Sequence, residues 1–342
     1  MDSAVAALLT SKQGHTCAGA IMELCNRDMS ADIHSARETA DRLGIPFHVF
    51  DMRQEFHRLV VQSFVDSYEA GITPNPCITC NSTIKFGLFV DRAREMGFSS
   101  IVTGHYARIE QDGHRFLIRK ATDTYKDQSY FLYVLTQSQL SMARFPLGDM
   151  TKAEVRAIAE ENGFTSAERR ESQDICFVSG DDYASVIIEN TGRNYEPGDF
   201  VTPEGKVLGR HKGIIHYTIG QRRGLGLAVP ESVYVQALDI ENNRVVVGPE
   251  EGVFSRELNA TRVNWVACQC PTNTMRLKAR VRYRQQEQWA QIEATGPDTA
   301  KVVFDEPQRA ITPGQSVVFY DGDYLIGGGV ILGEREEVRG YR

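Results

Sequence analysis

The sequence predicts an α/β amino-terminal half followed by an all-β carboxy-terminal half, and three observations carry that reading. Up to about residue 163, stretches of helical period alternate with short apolar runs, as in helices wound about a parallel sheet. From Gly192 onward the period becomes two. Turn strings such as Pro197-Gly198-Asp199, Pro203-Glu204-Gly205, Glu241-Asn242-Asn243 and Tyr320-Asp321-Gly322-Asp323 punctuate it. Finally, 342 residues suffice for two or three ordinary cores.

In chain order, residues 30–43 read as a helix with Ser30 as N-cap and Gly44 as its stop, followed by a buried strand at Phe47–Phe50. A second amphipathic helix spans 54–70. A third spans 84–96 and is stopped by Gly97, and Ile101-Val102-Thr103-Gly104 is a strand ending in a tight turn. Doubly wound sheets bind ligands at the carboxyl ends of their strands, which places Asp51, Gly104 and His105 on that edge. Thr151-Lys152-Ala153-Glu154 is a capping box opening a helix to Glu161, closed by Gly163, and helical signal persists to about Asn190. A change of character near 256–262 splits the β half, so the expected domains are 1–191, 192–256 and 257–342.

Composition narrows the function. No stretch approaches the ~20 apolar residues of a membrane span. The start, MDSAVAALLTSK, lacks the basic region and cleavage site of a signal peptide, so a cytoplasmic protein is expected. A net charge of −7 offers no global attraction to nucleic acid, so an RNA partner would need a local basic surface. Seven cysteines, an odd number, argue against a disulfide framework and leave catalysis, metal binding or burial.

Cys80 in NPCITCN (75–81) and Cys176 in SQDICF (172–177) have polar, turn-forming neighbours, which suggest loops where a thiol meets a partner thiol, a metal or a substrate. Two unrelated thiols is an equally open reading of the pair alone. Cys77-X-X-Cys80 suits metal or redox chemistry, with Cys176 available as a third ligand. Cys268-X-Cys270 reads more simply as two strand residues on one face. In residues 276–284, Arg276, Lys278, Arg280, Arg282 and Arg284 alternate with Leu277, Ala279, Val281 and Tyr283. On a strand all five cations share a face, suited either to an RNA backbone or to acidic neighbours on adjacent strands. Gly220-Gln221-Arg222-Arg223-Gly224-Leu225-Gly226 suits a phosphate-contacting loop or a plain turn. Lys126-Asp127-Gln128-Ser129-Tyr130 mixes groups found in RNA-contacting loops, with Asp127 also read as a helix cap.

Taken together, DSAVAALL (2–9), GIPFHVFD (44–51), TPNPCITCN with IKF (73–86), TGHYARI (103–109), KDQSYFLY (126–133), SQDICF, HYTIGQRRGLG (216–226), RVRYRQ (280–285) and ITPGQSVVFYDGDYLIGGG (311–329) resemble the tRNA-specific 2-thiouridylases, across nearly the whole chain. The resemblance implies an ATP-pyrophosphatase domain of the PP-loop type, a small central β domain and a C-terminal β-barrel. It implies ATP-dependent replacement of the wobble-uridine 2-oxygen by sulfur, with Cys80 as nucleophile and Cys176 as bearer of a persulfide. It carries nucleotide-binding positions onto Asp2, Ser3, Met22 and Gly104. It carries tRNA contacts onto Asn75, Pro76, Cys77, His105, Lys126, Asp127, Gln128, Arg282, Tyr283 and Gln315. Mg2+ is expected with ATP, and tRNA and a protein persulfide donor are the expected partners.

An iron–sulfur cluster on Cys77, Cys80 and Cys176 is a chemically reasonable variant. In the family's Ser-Gly-Gly-Val-Asp-Ser-Ser loop, Met1 stands at the valine, and the codons upstream are expected to encode an apolar strand and Ser-Gly-Gly. Two rivals are a PP-loop enzyme acting on a small molecule, which has no need of the basic strand or paired cysteines, and a non-catalytic tRNA-binding paralogue.

Overall fold

The computed structural model describes residues 1–164, 175–178, 180 and 182–333. In the amino-terminal part, β1 (Gly19–Glu23) pairs in parallel with β2 (Phe47–Asp51), and β3 (Ile101–Val102) pairs in parallel with β6 (Ala143–Arg144). Among the described residues the two pairs are not hydrogen-bonded to each other, and a cleft bordered by Ala20 and Met22 of β1 and Val102 of β3 opens there. Parallel pairing and flanking helices are thus as the sequence predicts, but as two sheets rather than one.

Helix α1 (Asp2–Lys12) packs by β3, and α2 (Ser30–Leu43) lies on β1. Ser30 proves to be the first helical residue rather than the cap. Its N–H is taken by Asp28 Oδ1 at 2.9 Å, while Gly44 ends the helix at φ 65°. The second expected helix runs from α3 (Arg53–Phe56) through a π segment (His57–Val61) into α4 (Gln62–Glu69).

The third helix begins eight residues earlier than its periodicity suggests, at α5 (Pro76–Cys80), and continues through a π segment (Asn81–Leu88) into α6 (Phe89–Glu95). Pro76 occupies its first position, where a missing N–H costs nothing and a fixed φ helps, with Asn75 extended before it. Cys77 and Cys80, expected in a loop, therefore stand on the first turn of a helix. The expected loop context of Cys176 rests partly on residues 172–174, which lie outside the described residues. After α7 (Gln137–Met142), Thr151 makes its capping box with Glu154 at the start of α8 (Lys152–Glu161), and α9 (Tyr183–Thr191) precedes the β half.

The central unit orders β8 (Val207–His211), β7 (Gly198–Val201), β10 (Arg244–Gly248) and β9 (Tyr234–Asp239). The carboxy-terminal strands are β11 (Phe254–Asn264), β12 (Met275–Arg280), β13 (Gln288–Gly296), β14 (Thr299–Arg309), β15 (Ser316–Asp321) and β16 (Tyr324–Ile331). Their order is β11-β14-β13-β12-β15-β16, and β11 pairs back with β16 to close a barrel around Leu277, Ile292, Val302, Phe304, Val317 and Phe319. β11 is continuous across residues 256 and 257. The hairpin β4 (Ala107–Asp112) and β5 (Arg115–Lys120) extends the barrel sheet outward, with Arg119 opposite Tyr324 and Ile118 opposite Leu325.

The alternating basic segment is shorter as a strand than its pattern suggests, because β12 stops at Arg280. Its charges are largely answered within the protein. Arg276 pairs with Asp305 at 2.6 Å and lies over Trp289, as does Lys278. Arg282 donates to Thr312 Oγ1 at 2.5 Å. Arg280, its side chain 12% exposed, pairs with Asp127, 5% exposed, at 3.2 Å and donates to Tyr320 OH at 2.9 Å. Asp127 also accepts the N–H groups of Ala121 and Ser129, and only a single 3-10 turn (Ser129–Phe131) follows it rather than an apolar helix.

Removing one partner of a buried ion pair costs about 3–5 kcal/mol. Asp127→Asn should therefore lower the denaturation midpoint sharply, while Arg276→Ala, at an exposed pair, should leave it nearly unchanged. Equal, small shifts in urea titrations of the two variants would refute this.

Candidate active site

Four cysteines gather where α5 meets the turn at 175–178. Cys80, 6% exposed, packs among Met52, Phe56, Val60 and Ile84, with Cys25 and Phe177 at the margin of the same cluster. Phe177 sets its ring edge-on to Phe56 at 5.7 Å and to Phe64 at 5.2 Å, which anchors the turn carrying exposed Cys176. Cys25, two residues past β1, shares a side-chain hydrogen bond with Cys176. All seven cysteines are free thiols.

Cys25 and Lys85 are functional candidates that the sequence does not announce. Cys25 has no telling distance to another cysteine, and only the fold brings it to Cys176. Lys85 carries a faint signal, a lone cation between Ile84 and Phe86 in an otherwise apolar stretch. On the same continuous helix as Cys77 and Cys80, its charge favours the thiolates of Cys77, Cys80 and Cys176.

Burial pushes the Cys80 thiol up to about 11, with Lys85 acting against it. Burial likewise raises Cys77, although its side chain opens to the cleft. Cys176 is raised because its S–H donates to Cys25 and because of burial. Cys25 is lowered by that same hydrogen bond, with Arg27 assisting against burial. The pair thus gives up one proton readily and holds the second.

Beside the thiols lies the cleft between the two sheets, about 2850 Å3 in volume. It is bordered by Met1, Asp2 and Ser3 at the start of α1, by Met22, and by Gly104 past β3. The amino terminus of α1 has no side-chain cap. A Cβ at Gly104 would lie 2.7 Å from Asp2 Cβ and 2.8 Å from Ser3 N, so a side chain here would fill the approach to that helix end. Lys152 Nζ donates to both Asp2 oxygens, at 2.7 and 2.9 Å. An uncapped helix end, a cation beside it and a glycine opposite fit the phosphates of a nucleotide. His105 lines the cleft between the rings of Phe86 and Phe145, each 5.6 Å away, with Nδ1 2.7 Å from Thr103 Oγ1. Burial, then the charge of Lys85, holds it neutral.

The sequence-predicted RNA contacts Cys77, His105, Lys126, Asp127, Gln128, Arg282, Tyr283 and Gln315 all line this cleft, whereas Cys80 and Cys176 do not. Asn75 and Pro76 open the helix that borders it. Several of these side chains hold the site together. Gln315 donates to the carbonyls of Thr73 and Pro74 just ahead of α5, Gln128 accepts the Tyr106 N–H, and Tyr283 packs on Phe131 at 4.5 Å. A second cleft of about 1140 Å3 presents Lys212, Arg223, Arg282 and Arg309, and shares Arg282 and Gln285 with the first. Gly220 and Gly224, both at positive φ, shape the loop beside it.

Among the described residues, no three His, Cys, Asp or Glu side chains are arranged to hold a metal ion. Cys77 faces the cleft, Cys80 is buried and Cys176 is bonded to Cys25, so the three do not form the ligand set expected of an iron–sulfur cluster. Cys268 and Cys270 lie in an irregular connection after β11 rather than on a strand.

Residues 1–180 match the family model described as tRNA methyl transferase HUP domain, 187–249 the tRNA methyl transferase PRC-barrel domain, and 255–331 the aminomethyltransferase beta-barrel domain. Among curated relatives, the tRNA-specific 2-thiouridylase MnmA of Treponema denticola is 46% identical, covering 97% of this chain and 95% of the relative. Those of Acetivibrio thermocellus and Clostridioides difficile are 44% and 43% identical over 97% of this chain, with 96% and 95% of their own lengths covered.

The burial of Cys80 makes its reactivity rise with pH. Its alkylation by iodoacetamide, mapped by mass spectrometry, should be slow at neutral pH and rise about tenfold per pH unit until near 11. Lys85→Met should slow it about threefold at a fixed pH by removing the charge that favours the thiolate. A plateau below pH 9, or no effect of Lys85→Met, would contradict this account.

Proposed function

Because this chain belongs to the tRNA-specific 2-thiouridylase family, we propose that it thiolates the wobble uridine of tRNA at position 2. The observation that carries the reading is the gathering of Cys80 and the Cys25–Cys176 pair by the helix turn whose Cys77 lines a cleft with a nucleotide-type helix end. The descriptions of the matching models speak of methyl transfer, but a cluster of thiols serves sulfur transfer.

When bound, ATP would supply the adenylyl group that turns the uridine 2-oxygen into a leaving group, with Mg2+ accompanying it. Asp2, Ser3, Met22 and Gly104 would hold the nucleotide, Asp2 being the carboxylate at the helix end. Neutral His105, with Lys126, Asp127 and Gln128 behind it, would border the target base beside Asn75, Pro76 and Cys77. Cys176, exposed on its turn, would receive sulfur from a protein persulfide donor in the cytoplasm. The terminal persulfide sulfur attacks uridine C2 and displaces AMP. Cys80 then attacks Cys176 Sγ, releasing the thiolated base and leaving a Cys80–Cys176 disulfide. Cys80 must lose its proton for this, which burial opposes and Lys85 favours.

Cys80→Ser and Cys176→Ser should each abolish 2-thiouridine formation, scored by mass spectrometry of digested tRNA in single turnover with ATP and a persulfide donor, while tRNA affinity stays within a few-fold. Thiolation by the Cys176→Ser protein would sink the assignment.

The second basic cleft supports a path for the RNA backbone. Lys212→Ala with Arg223→Ala should weaken tRNA binding and flatten its dependence on log salt by about one unit for each phosphate no longer neutralised. A salt series with the slope unchanged would remove those residues from the RNA surface.

A further inference from the structure

We propose that Cys25 is a resolving thiol that takes Cys176 over from Cys80 after sulfur transfer and presents the resulting disulfide to a dithiol reductant. The proposal rests on the thiolation reading above, which ends each cycle with a Cys80–Cys176 disulfide.

Three features of the fold support it. Cys25 is already hydrogen-bonded to Cys176 and lies beside Cys80 in the same cluster, so Cys176 stands between two prospective partners. The partners differ in access. Cys80 is 6% exposed inside a cluster of Met52, Phe56, Val60 and Ile84, whereas Cys25 is half-buried and Cys176 exposed. A reductant that must touch sulfur is therefore screened from Cys80 and can approach Cys176 on the Cys25 side. The protonation preferences also run forward. With Cys176 held in the disulfide and no S–H left to donate, the Arg27 charge is what favours the Cys25 thiolate, against burial, and the thiol released at Cys80 is favoured in its protonated form by burial.

In the exchange, the Cys25 thiolate attacks Cys176 Sγ. The Sγ–Sγ bond to Cys80 breaks, Cys80 leaves as thiolate and takes up the proton that Cys25 gave to solvent, and no net redox change occurs. A dithiol then reduces the Cys25–Cys176 bond, becomes a disulfide itself and restores both thiols.

Two arms test this. In the first, the protein without tRNA is equilibrated in mixtures of oxidised and reduced dithiothreitol, acid-quenched, blocked with N-ethylmaleimide and mapped for linked peptides. Cys25–Cys176 is the expected major disulfide. A predominance of Cys80–Cys176 in the unsubstituted protein overturns the proposal, and this arm depends on no variant and no thiolation activity. In the second, persulfide-loaded protein completes one turnover with ATP and tRNA in the absence of reductant. The unsubstituted protein should end with Cys25–Cys176, and Cys25→Ser and Cys25→Ala with Cys80–Cys176. Their second turnover after adding dithiothreitol should be slowed at least several-fold. If 2-thiouridine forms with Cys176 unlinked in every protein, the mechanism of the previous subsection fails. If every protein ends with Cys80–Cys176, that mechanism stands and the role of Cys25 falls.

Discussion

The arrangement depends on one buried charge. The Arg280 guanidinium sits at the junction of the barrel with the amino-terminal domain, and a cation there must be answered. Asp127 supplies the counter-charge, Tyr320 a hydroxyl, and the rings of Tyr130 and Tyr320 lie 5.2 and 5.0 Å from the guanidinium carbon. Meeting that demand draws the segment from Ala121 to Ser129 against the barrel and fixes the side of the cleft on which Lys126 and Gln128 stand. The β5–β16 pairing and the Gln315 hydrogen bonds act alongside it, so the barrel also sets the entry of α5 and thereby Cys77 and Cys80. The carboxy-terminal domain is therefore no detached RNA-binding appendage but part of the site's frame.

Within that frame the thiols are held in unlike states. Cys80 is kept protonated by its apolar surroundings, with Lys85 the cation that opposes them. Cys176 and Cys25 share a proton. A thiol that is mostly protonated at rest is shielded from adventitious alkylation and oxidation, since the thiolate is the reactive form.

Much of this is legible in the sequence where local rules and tertiary demand agree. The capping box at Thr151, the Gly44 stop, the turns at 203–205 and 241–243 and the strands at 47 and 101 follow their local signals, although β2, expected to be buried, is half-buried to exposed along its length because it pairs only with β1 at the edge of the cleft. The start of the third helix is obscured because Asn75-Pro76 looks like a turn, when proline at the first helical position is a helix signal too. The β4–β5 hairpin carries its mark in Asp112-Gly113 between two extended runs, a turn dipeptide outweighed by the surrounding α/β pattern. The basic strand shows the reverse limit. A period of two states which face its cations share, but not that Asp127, 153 residues away, and Asp305 neutralise two of them. Cys25 is illegible for the same reason, since its significance is wholly its neighbour.

The division between helix and turn follows from what each thiol must meet. On the proposed mechanism the carrier of sulfur is loaded by another protein, which requires exposure, and Cys176 has it on a turn tethered by the Phe177 ring. The proposed nucleophile, Cys80, would act only within the site and needs fixed geometry instead, and a helix packed on Phe56, Val60 and Ile84 supplies it. Had both thiols stood on surface loops, as their polar neighbours suggest, either could be loaded or oxidised and the order of events would have no structural basis. Burying one and exposing the other imposes that order by access alone.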